Sequence, residues 1–183
     1  GRTPLTVQLD MPIDLAQVEP VMSVNPAIEG TLDSLILPDS TQVITFTPSV
    51  DWQFSTTYSA ALAIGKHKRD IALWSFTTTP PPALIGRFPG EGQILLANQD
   101  VRLIFNMPIK DDALVESLRF EPDAGPIKVS VSGSEARISA DFQPSTDYTL
   151  IIPADLQMQA GLVLGREYQI RFSTASAQSA VKI

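Results

Sequence analysis

The sequence has 183 residues, of which 44% are hydrophobic and 18% are charged, enough apolar material for one large domain or two small ones. Its 13 Lys and Arg against 20 Asp and Glu leave a net charge of −7, which argues against a nucleic-acid partner. The lack of any cysteine excludes disulfides, thiolate nucleophiles and cysteine-ligated metals. No apolar run reaches the ~18 residues of a membrane span.

Residues 5–9 (Leu-Thr-Val-Gln-Leu) place an apolar side chain at every second position, which is the period of a half-buried strand. One-turn helices are expected only at residues 15–18 and 112–117. Short strands separated by Pro, Ser, Asp and Gly predict an all-β sandwich fold. The remaining strands are predicted at residues 42–46, 58–64, 71–76, 101–105, 127–131, 148–152 and 168–172.

The chain contains an internal repeat. Residues 5–14 (LTVQLDMPID) recur as residues 101–110 (VRLIFNMPIK), an offset of 96. The same offset relates Phe76 to Phe172, whereas the Ser-Thr-x-Tyr motif recurs at an offset of 90. Several anchors in one order predict two homologous domains in tandem.

Three consecutive prolines mark the predicted boundary between the copies. We expect one domain at residues 1–79, a linker at 80–82, a second domain at 83–175 and a tail at 176–183. Because proline restricts φ, the linker should be semi-rigid and favour an end-to-end arrangement of the domains.

The two copies differ at their beginnings. The second has a stretch from Leu84 to Leu96 before its strand at residues 101–105, and its equivalent in the first copy would precede residue 1. We therefore expect the first domain to lack its opening strand, which leaves a sheet edge open. An upstream segment of a longer protein, a neighbouring molecule or residues 180–183 would fill that edge, and the first is favoured.

Aromatic residues at repeated positions suggest structural roles. Tyr58 and Tyr148 each begin a strand two residues after a threonine, which suits a hydroxyl that bonds backbone across a turn. Phe76 and Phe172 lie on last strands whose alternate residues point inward, so we expect them in the cores.

Other conspicuous residues also favour structure over chemistry. Trp52 and Trp74 are expected to pack inside rather than to form a sugar-stacking platform. Pro12 and Pro108 are expected to end edge-type strands, because proline cannot donate to a central ladder. Residues 86–92 lack the Gly-x-Gly-x-x-Gly spacing of a dinucleotide loop and predict a turn leading into the second domain.

The clearest charged candidate is a basic run. The favoured interpretation is a solvated hairpin tip, and the alternative is a small basic contact site. The run consists of Lys66, His67, Lys68 and Arg69. His67 is the single histidine, and nothing marks a Ser–His–Asp triad around it.

The acidic residues have no spacing typical of a calcium loop, so helix starts or solvated surface are favoured. They are Asp10, Asp14, Glu19, Asp111, Asp112 and Glu116. No catalytic, cofactor-binding or metal-binding residue is predicted, and no cofactor is implied.

The order of these motifs resembles the bacterial Ig-like domains of S-layer-type and other surface proteins. Tandem domains of this kind also occur in bacterial alpha-2-macroglobulin-like proteins, whose reactive thioester requires a cysteine that this chain does not have. The motifs are Leu9-Asp10-Met11-Pro12, Phe46-Thr47-Pro48, Thr56-Thr57-Tyr58 and Phe76-Thr77-Thr78, then Phe105-Asn106-Met107-Pro108, Thr146-Asp147-Tyr148 and Phe172-Ser173-Thr174.

The resemblance implies a non-catalytic structural or interaction module: tandem Ig-like spacers of a larger secreted or cell-surface bacterial protein. Its location would be extracellular, cell-surface or periplasmic. Its partners would be other domains of that protein, and proteins or glycans at the cell surface. The alternative is a module that binds carbohydrate or another surface ligand. An enzyme is the third and least favoured class.

Overall fold

A computed structural model describes residues 1–10, 13, 20–64, 69–110 and 113–177. The chain divides into two compact units, Gly1–Pro81 and Pro82–Ile183. Each is built almost entirely from β-strands in two sheets, so the predicted fold class, two tandem Ig-like β-sandwiches, is confirmed. Among the described residues, no helix is long and apolar enough to cross a membrane.

The described part of the first unit forms two three-stranded antiparallel sheets, ordered β1-β4-β3 and β2-β5-β6. A hairpin joins β3 to β4, and the consecutive strands β5 and β6 also pair antiparallel, so each sheet contains one pairing between consecutive strands and one between strands distant in sequence. The strands are β1 (Leu5–Leu9), β2 (Pro20–Asn25), β3 (Gly30–Ile36), β4 (Gln42–Pro48), β5 (Thr57–Ile64) and β6 (Arg69–Thr77).

The second unit repeats this plan with one additional strand in each sheet. The strands are β7 (Leu84–Phe88), β8 (Ile94–Leu95), β9 (Val101–Phe105), β10 (Arg119–Glu121), β11 (Ile127–Ser132), β12 (Glu135–Ala140), β13 (Asp147–Ile152) and β14 (Tyr168–Thr174). Its described sheets are ordered β11-β12-β9-β7 and β10-β13-β14-β8, and only the β14–β8 pairing is parallel. A single-turn helix α1 (Ala113–Ser117) and a 3-10 turn (Gln159–Gly161) complete the unit.

Period-two alternation explains where the core lies. In β9, Val101, Leu103 and Phe105 are at most 1% exposed, while Arg102 and Ile104 between them are exposed. Successive side chains of a strand point to opposite faces of the sheet, so this pattern buries one face only. The same alternation in β13 and β14 supplies the opposite wall of the sandwich.

Three local expectations are resolved by the fold. The helical turn expected at residues 112–117 is confirmed as Ala113–Ser117. The expectation that Pro108 ends an edge strand is wrong, because β9 pairs on both sides and the proline follows its last residue, Phe105. Residues 86–88, expected in a turn, belong to β7. Pro12 and the helix expected at residues 15–18 lie outside the described residues.

Candidate functional site

Equivalent tyrosines brace the turns before β5 and β13. The Tyr58 hydroxyl accepts a hydrogen bond from the Gln53 backbone N–H at 3.2 Å. The Tyr148 hydroxyl accepts one from the Gln143 backbone N–H at 3.1 Å. Both tyrosines are buried, at 0% and 2% exposure, so each bond ties a core ring to the neighbouring turn. This is the arrangement of a tyrosine corner.

A threonine at the C-terminal end of each last strand fixes the same turn from the other side: Thr78 directly follows β6, and Thr174 is the final residue of β14. Thr78 Oγ1 accepts a hydrogen bond from the Thr56 N–H at 2.9 Å and donates to the Gln53 carbonyl oxygen at 2.5 Å. Thr174 makes the two equivalent bonds in the second unit, at 3.0 and 2.5 Å. The sequence analysis assigns no role to these threonines. A signal was present, because each ends a repeated motif, Phe76-Thr77-Thr78 or Phe172-Ser173-Thr174, and the two recur at the repeat offset of 96.

The residue at the tip of each turn has a left-handed backbone conformation. Ser55 and Ser145 both have φ of 51°, a region that non-glycine residues rarely adopt. Each serine N–H donates across the turn, to the Thr79 carbonyl at 3.0 Å and to the Ala175 carbonyl at 3.1 Å. These bonds and those of the tyrosine and threonine hold the strained backbone in place.

Three aromatic rings pack behind each corner. In the first unit, Tyr58 and Phe76 stack at 5.5 Å between centroids, and Trp52 meets their edges at 4.9 and 5.3 Å. The second unit repeats the cluster at 5.8, 5.1 and 5.7 Å with Tyr148, Phe172 and Phe142.

The tryptophans do not form an open platform. Trp52 is 8% exposed, and its indole N–H donates to the Thr3 carbonyl oxygen at 2.8 Å. Trp74 is half-buried on β6, opposite the buried Ala60 of β5. Trp52 therefore belongs to the core of the first sandwich, as expected, whereas Trp74 is only half-buried.

The predicted basic contact site lies mostly outside the described residues. Lys66, His67 and Lys68 fall there, and Arg69 is described only as the first residue of β6.

The acidic residues are similarly divided. Asp14, Glu19, Asp111 and Asp112 lie outside the described residues, whereas Asp10 follows β1 and Glu116 lies in α1. Within the described ranges, no three His, Cys, Asp or Glu side chains gather in a way that would hold a metal ion.

The second unit has an open depression of about 710 Å³ beside its corner. Phe142 and Leu96 contribute apolar surface there, while Asn98, Gln99 and Asp141 contribute polar groups.

Residues 79–174 match the family described as Bacterial Ig-like domain. The chain belongs to this family. The matched residues cover most of the second unit, and the first unit repeats its corner, its threonine bonds and its ring cluster. No curated protein matches the sequence.

Solved structures with a similar fold contain paired Ig domains. A chain of the crystal structure of Dpr2 Ig1-Ig2 in complex with DIP-Theta Ig1-Ig3 is 10% identical, with a TM-score of 0.29 over 95% of this chain and 90% of that one. The N-terminal Ig1-2 module of the Drosophila receptor protein tyrosine phosphatase DLAR is 8% identical, with a TM-score of 0.25 over 95% and 98%. At these values neither neighbour assigns a function to this chain.

Proposed function

We propose that these Ig-like units are a non-catalytic structural and interaction module that serves as a tandem spacer in a larger secreted or cell-surface bacterial protein. The proposed parent is alpha-2-macroglobulin-like, and the proposed location is extracellular, cell-surface or periplasmic. Its partners are other domains of that parent and proteins or glycans at the cell surface.

One observation carries the proposal: the hydroxyl groups of the repeated motifs are used to build the framework. Tyr58 and Thr78 bond the backbone of their own turn, and Tyr148 and Thr174 do the same in the second unit. A nucleophile or general base must be able to contact a substrate. These hydroxyl groups are bonded to backbone, and Tyr58, Tyr148 and Thr174 are also buried, which supports a scaffold role instead.

The proposed domain organisation comprises residues 1–79, a linker at 80–82, residues 83–175 and a tail at 176–183. The division of the chain into compact units between Pro81 and Pro82 supports the position of the linker. Proline at three successive positions restricts backbone rotation, which suits a spacer better than a flexible Gly/Ser tether would.

An antibody raised against the chain tests the proposal in the organism that produces it. Immunoblotting should detect a protein far larger than the 19.8 kDa of this chain, and intact cells or the secreted fraction should carry it. Brief trypsin treatment of intact cells should remove a surface-bound form. A band of about the chain's own mass, confined to the cytosol, would overturn the proposal.

The depression in the second unit favours one second candidate, the binding of carbohydrate or another surface ligand. Binding to a glycan array that is lost in Asn98→Ala would support this function, because Asn98 lines the depression. The matched control is Asn25→Ala in the first unit, where the same residue type lies at the end of β2. Failure to bind any glycan would count against the second candidate and leave the spacer role unaffected.

A further inference from the structure

We infer that the outer face of the β2-β5-β6 sheet in the first unit is a self-association surface, on which a second copy of this chain packs face to face. The outer face is the set of side chains of this sheet that point away from the core. The inference goes beyond the spacer role and depends neither on the parent protein nor on its location.

The outer face carries no charge among the side chains that the structure describes. Successive residues of a strand point to opposite faces, so the positions that alternate with the buried Tyr58, Ala60 and Leu62 belong to it. Interfaces are depleted in charge at their centre, whereas a sheet face turned to water is usually polar. The described members are Val21, Ser23 and Asn25 of β2, Thr57, Ser59 and Ala61 of β5, and Ile71, Leu73, Ser75 and Thr77 of β6.

One half of the outer face is apolar and open to solvent. Leu73 is 74% exposed, Ile71 is 44% exposed and Val21 is 37% exposed. Leu73 pairs directly with Ala61, which in turn pairs with Ser23 on its other side. Contiguous exposed apolar surface of this kind marks an interaction site.

The matching face of the second unit is charged. Gln169 stands where the first unit has the exposed Leu73, at the repeat offset of 96. The fold therefore does not require an uncharged face, and the lack of charge is a property of the first unit. The exposed charged residues of the second unit are Arg119, Glu121, Asp147 and Arg171, at positions that correspond to Ser23, Asn25, Thr57 and Ser75.

A strand beside β6 would leave the outer face open. In the second unit the segment beside β14 is bonded to Arg171, Ser173 and Thr174. Leu73 corresponds to Gln169, two residues before the first of these, so a segment in the same place would not reach it. A strand that pairs with β6 also lies in the plane of the sheet, whereas Leu73 projects out of that plane.

The outer face is complementary to itself. Its residues on β5 are small and form a furrow, while Ile71 and Leu73 form a ridge on β6. Leu73 lies directly opposite Ala61 in the ladder, so the two are level along the strands. A two-fold axis parallel to the strands, between β5 and β6, places Leu73 of each copy on Ala61 of the other. Contacts between identical chains are commonly of this isologous kind.

The net charge of the chain favours a second copy over an unlike partner. Each copy carries −7, so two copies repel each other wherever they present acidic residues. A partner of another kind could offset that charge with basic residues, and an acidic face would suit it best. Two copies can approach only through an uncharged face.

The size of the outer face indicates weak association. Three strands of this length span about 20 by 25 Å, or roughly 500 Å² per copy. The total of ~1,000 Å² lies below the ~1,200 Å² of stable complexes and within the range of transient ones. We therefore expect dimers to form at chain concentrations of about 0.1–1 mM.

Sedimentation equilibrium and concentration-dependent NMR spectra of the full chain test the inference. We expect dimers, with shift changes confined to β2, β5 and β6. Leu73→Asp should weaken the dimer by about tenfold or more, because each dimer would bury two unpaired carboxylates. Ile85→Asp is the matched control, since Ile85 is 66% exposed on β7 and the change adds the same charge. If Leu73→Asp fails to fold, the NMR shift map of the unaltered chain still locates the surface.

Salt dependence distinguishes the uncharged face from an ion-paired one. Salt screens the repulsion between two copies of charge −7, so raising NaCl from about 0.05 to about 0.5 M should strengthen the dimer. An interface built on ion pairs would weaken instead, and that result would overturn the inference.

Cross-linking tests the two-fold arrangement. The sequence has no cysteine, so a single introduced cysteine is the only thiol of its chain. Leu73→Cys and Ala61→Cys chains are mixed and treated with a short bis-maleimide, and intact mass separates the mixed dimer from the two like dimers. We expect the mixed dimer in excess of its random share. Ile85→Cys mixed with Ala61→Cys is the control and should show no excess.

Three further results would overturn the inference. The first is a chain that remains monomeric at about 1 mM, which would leave the outer face to a partner other than a second copy. The second is equal weakening of the dimer by Leu73→Asp and Ile85→Asp. The third is cross-linking of the Leu73→Cys and Ala61→Cys chains in random proportions.

Discussion

Thr174 donates its hydroxyl proton to the carbonyl oxygen of Gln143 at 2.5 Å, and Thr78 forms the same bond with Gln53 at the same distance. The bond joins a threonine at the C-terminal end of the last strand to the turn before β5 or β13, and the bonded residues are 25 and 31 positions apart in sequence. This bond and the tyrosine hydroxyl bond occur in both units, so the same hydrogen bonds hold the equivalent turn of each sandwich.

Thr174→Val should destabilise the second unit, because it removes a hydroxyl that both donates and accepts while keeping the side chain's shape. The expected cost is ~1–3 kcal/mol, since the Thr146 N–H and the Gln143 carbonyl lose their partner. Thr174→Ser keeps the hydroxyl and should recover most of the loss. Urea unfolding followed by far-UV circular dichroism measures the difference, and equal stability of the two variants would contradict the role.

Tyr58→Phe should lower the free energy of unfolding of the first unit by ~1 kcal/mol, because the Gln53 N–H is left without its acceptor. Tryptophan fluorescence during urea unfolding follows that unit selectively. Tyr148→Phe is the matched control: it should leave the fluorescence transition in place and weaken only the second unit. A fluorescence transition that shifts in Tyr148→Phe but not in Tyr58→Phe would refute the assignment.

Phe172→Ala and Phe76→Ala should differ in cost although the residues occupy equivalent positions. Phe172 is 2% exposed, so its loss should cost ~3–5 kcal/mol, the usual range for a buried aromatic. Phe76 is half-buried, and its truncation should cost less. Thermal unfolding of the two variants gives the order, and a larger loss for Phe76→Ala would show that burial does not govern these positions.

Gly30→Ala should destabilise the first unit although Gly30 lies on an exposed part of β3. A β-carbon there would overlap the Thr47 carbonyl oxygen and the Phe46 ring, so the cost should reach the upper part of the ~1–3 kcal/mol typical of overpacking. Gly133→Ala provides the comparison: its φ is +60°, but nothing lies near the added carbon, so about 1 kcal/mol is expected. Equal costs would contradict the close approach at Gly30.

The pKa of Asp39 should lie below its usual value, because the Thr41 backbone N–H donates to the Asp39 carboxylate at 3.0 Å. A carboxylate whose pKa is lower in the folded state stabilises that state above the pKa of the unfolded chain. This contribution is lost as the pH falls through the folded-state pKa. NMR titration of the Asp39 side chain measures the pKa, and Thr41→Pro, which removes the donor, should raise it.

Two strands with strict alternation were predicted at their observed positions, whereas β7 alternates as well and was expected in part as a turn. Residues 5–9 and 101–105 were predicted with the bounds that β1 and β9 have. β3 was not predicted, because six of its seven residues are exposed and its sequence carries no period-two pattern. It is a strand because β4 pairs with it along its whole length, a tertiary cause that the local sequence does not contain.

The corner was partly visible in the sequence. Tyr58 and Tyr148 stood out because each follows a threonine at the start of a strand, so their hydroxyl bonds were anticipated. Thr78 and Thr174 belong to the repeated motifs, but the carbonyl groups to which they donate lie in a turn distant in sequence, which only folding brings close to them.

The sequence by itself determined the duplication, the all-β class and the alternation that chooses which side chains face inward, because these follow from local periodicity and from similarity between distant segments. Only the tertiary structure decided how deeply those side chains are buried. Val7 and Leu103 occupy matching positions of the repeat, yet the first is half-buried and the second fully buried. Among the described strands, β9 has neighbours on both sides and the core around it also receives Leu114 and Met158, whereas β1 has one neighbour; the burial of an inward-facing residue depends on what packs around its strand as well as on its own sequence.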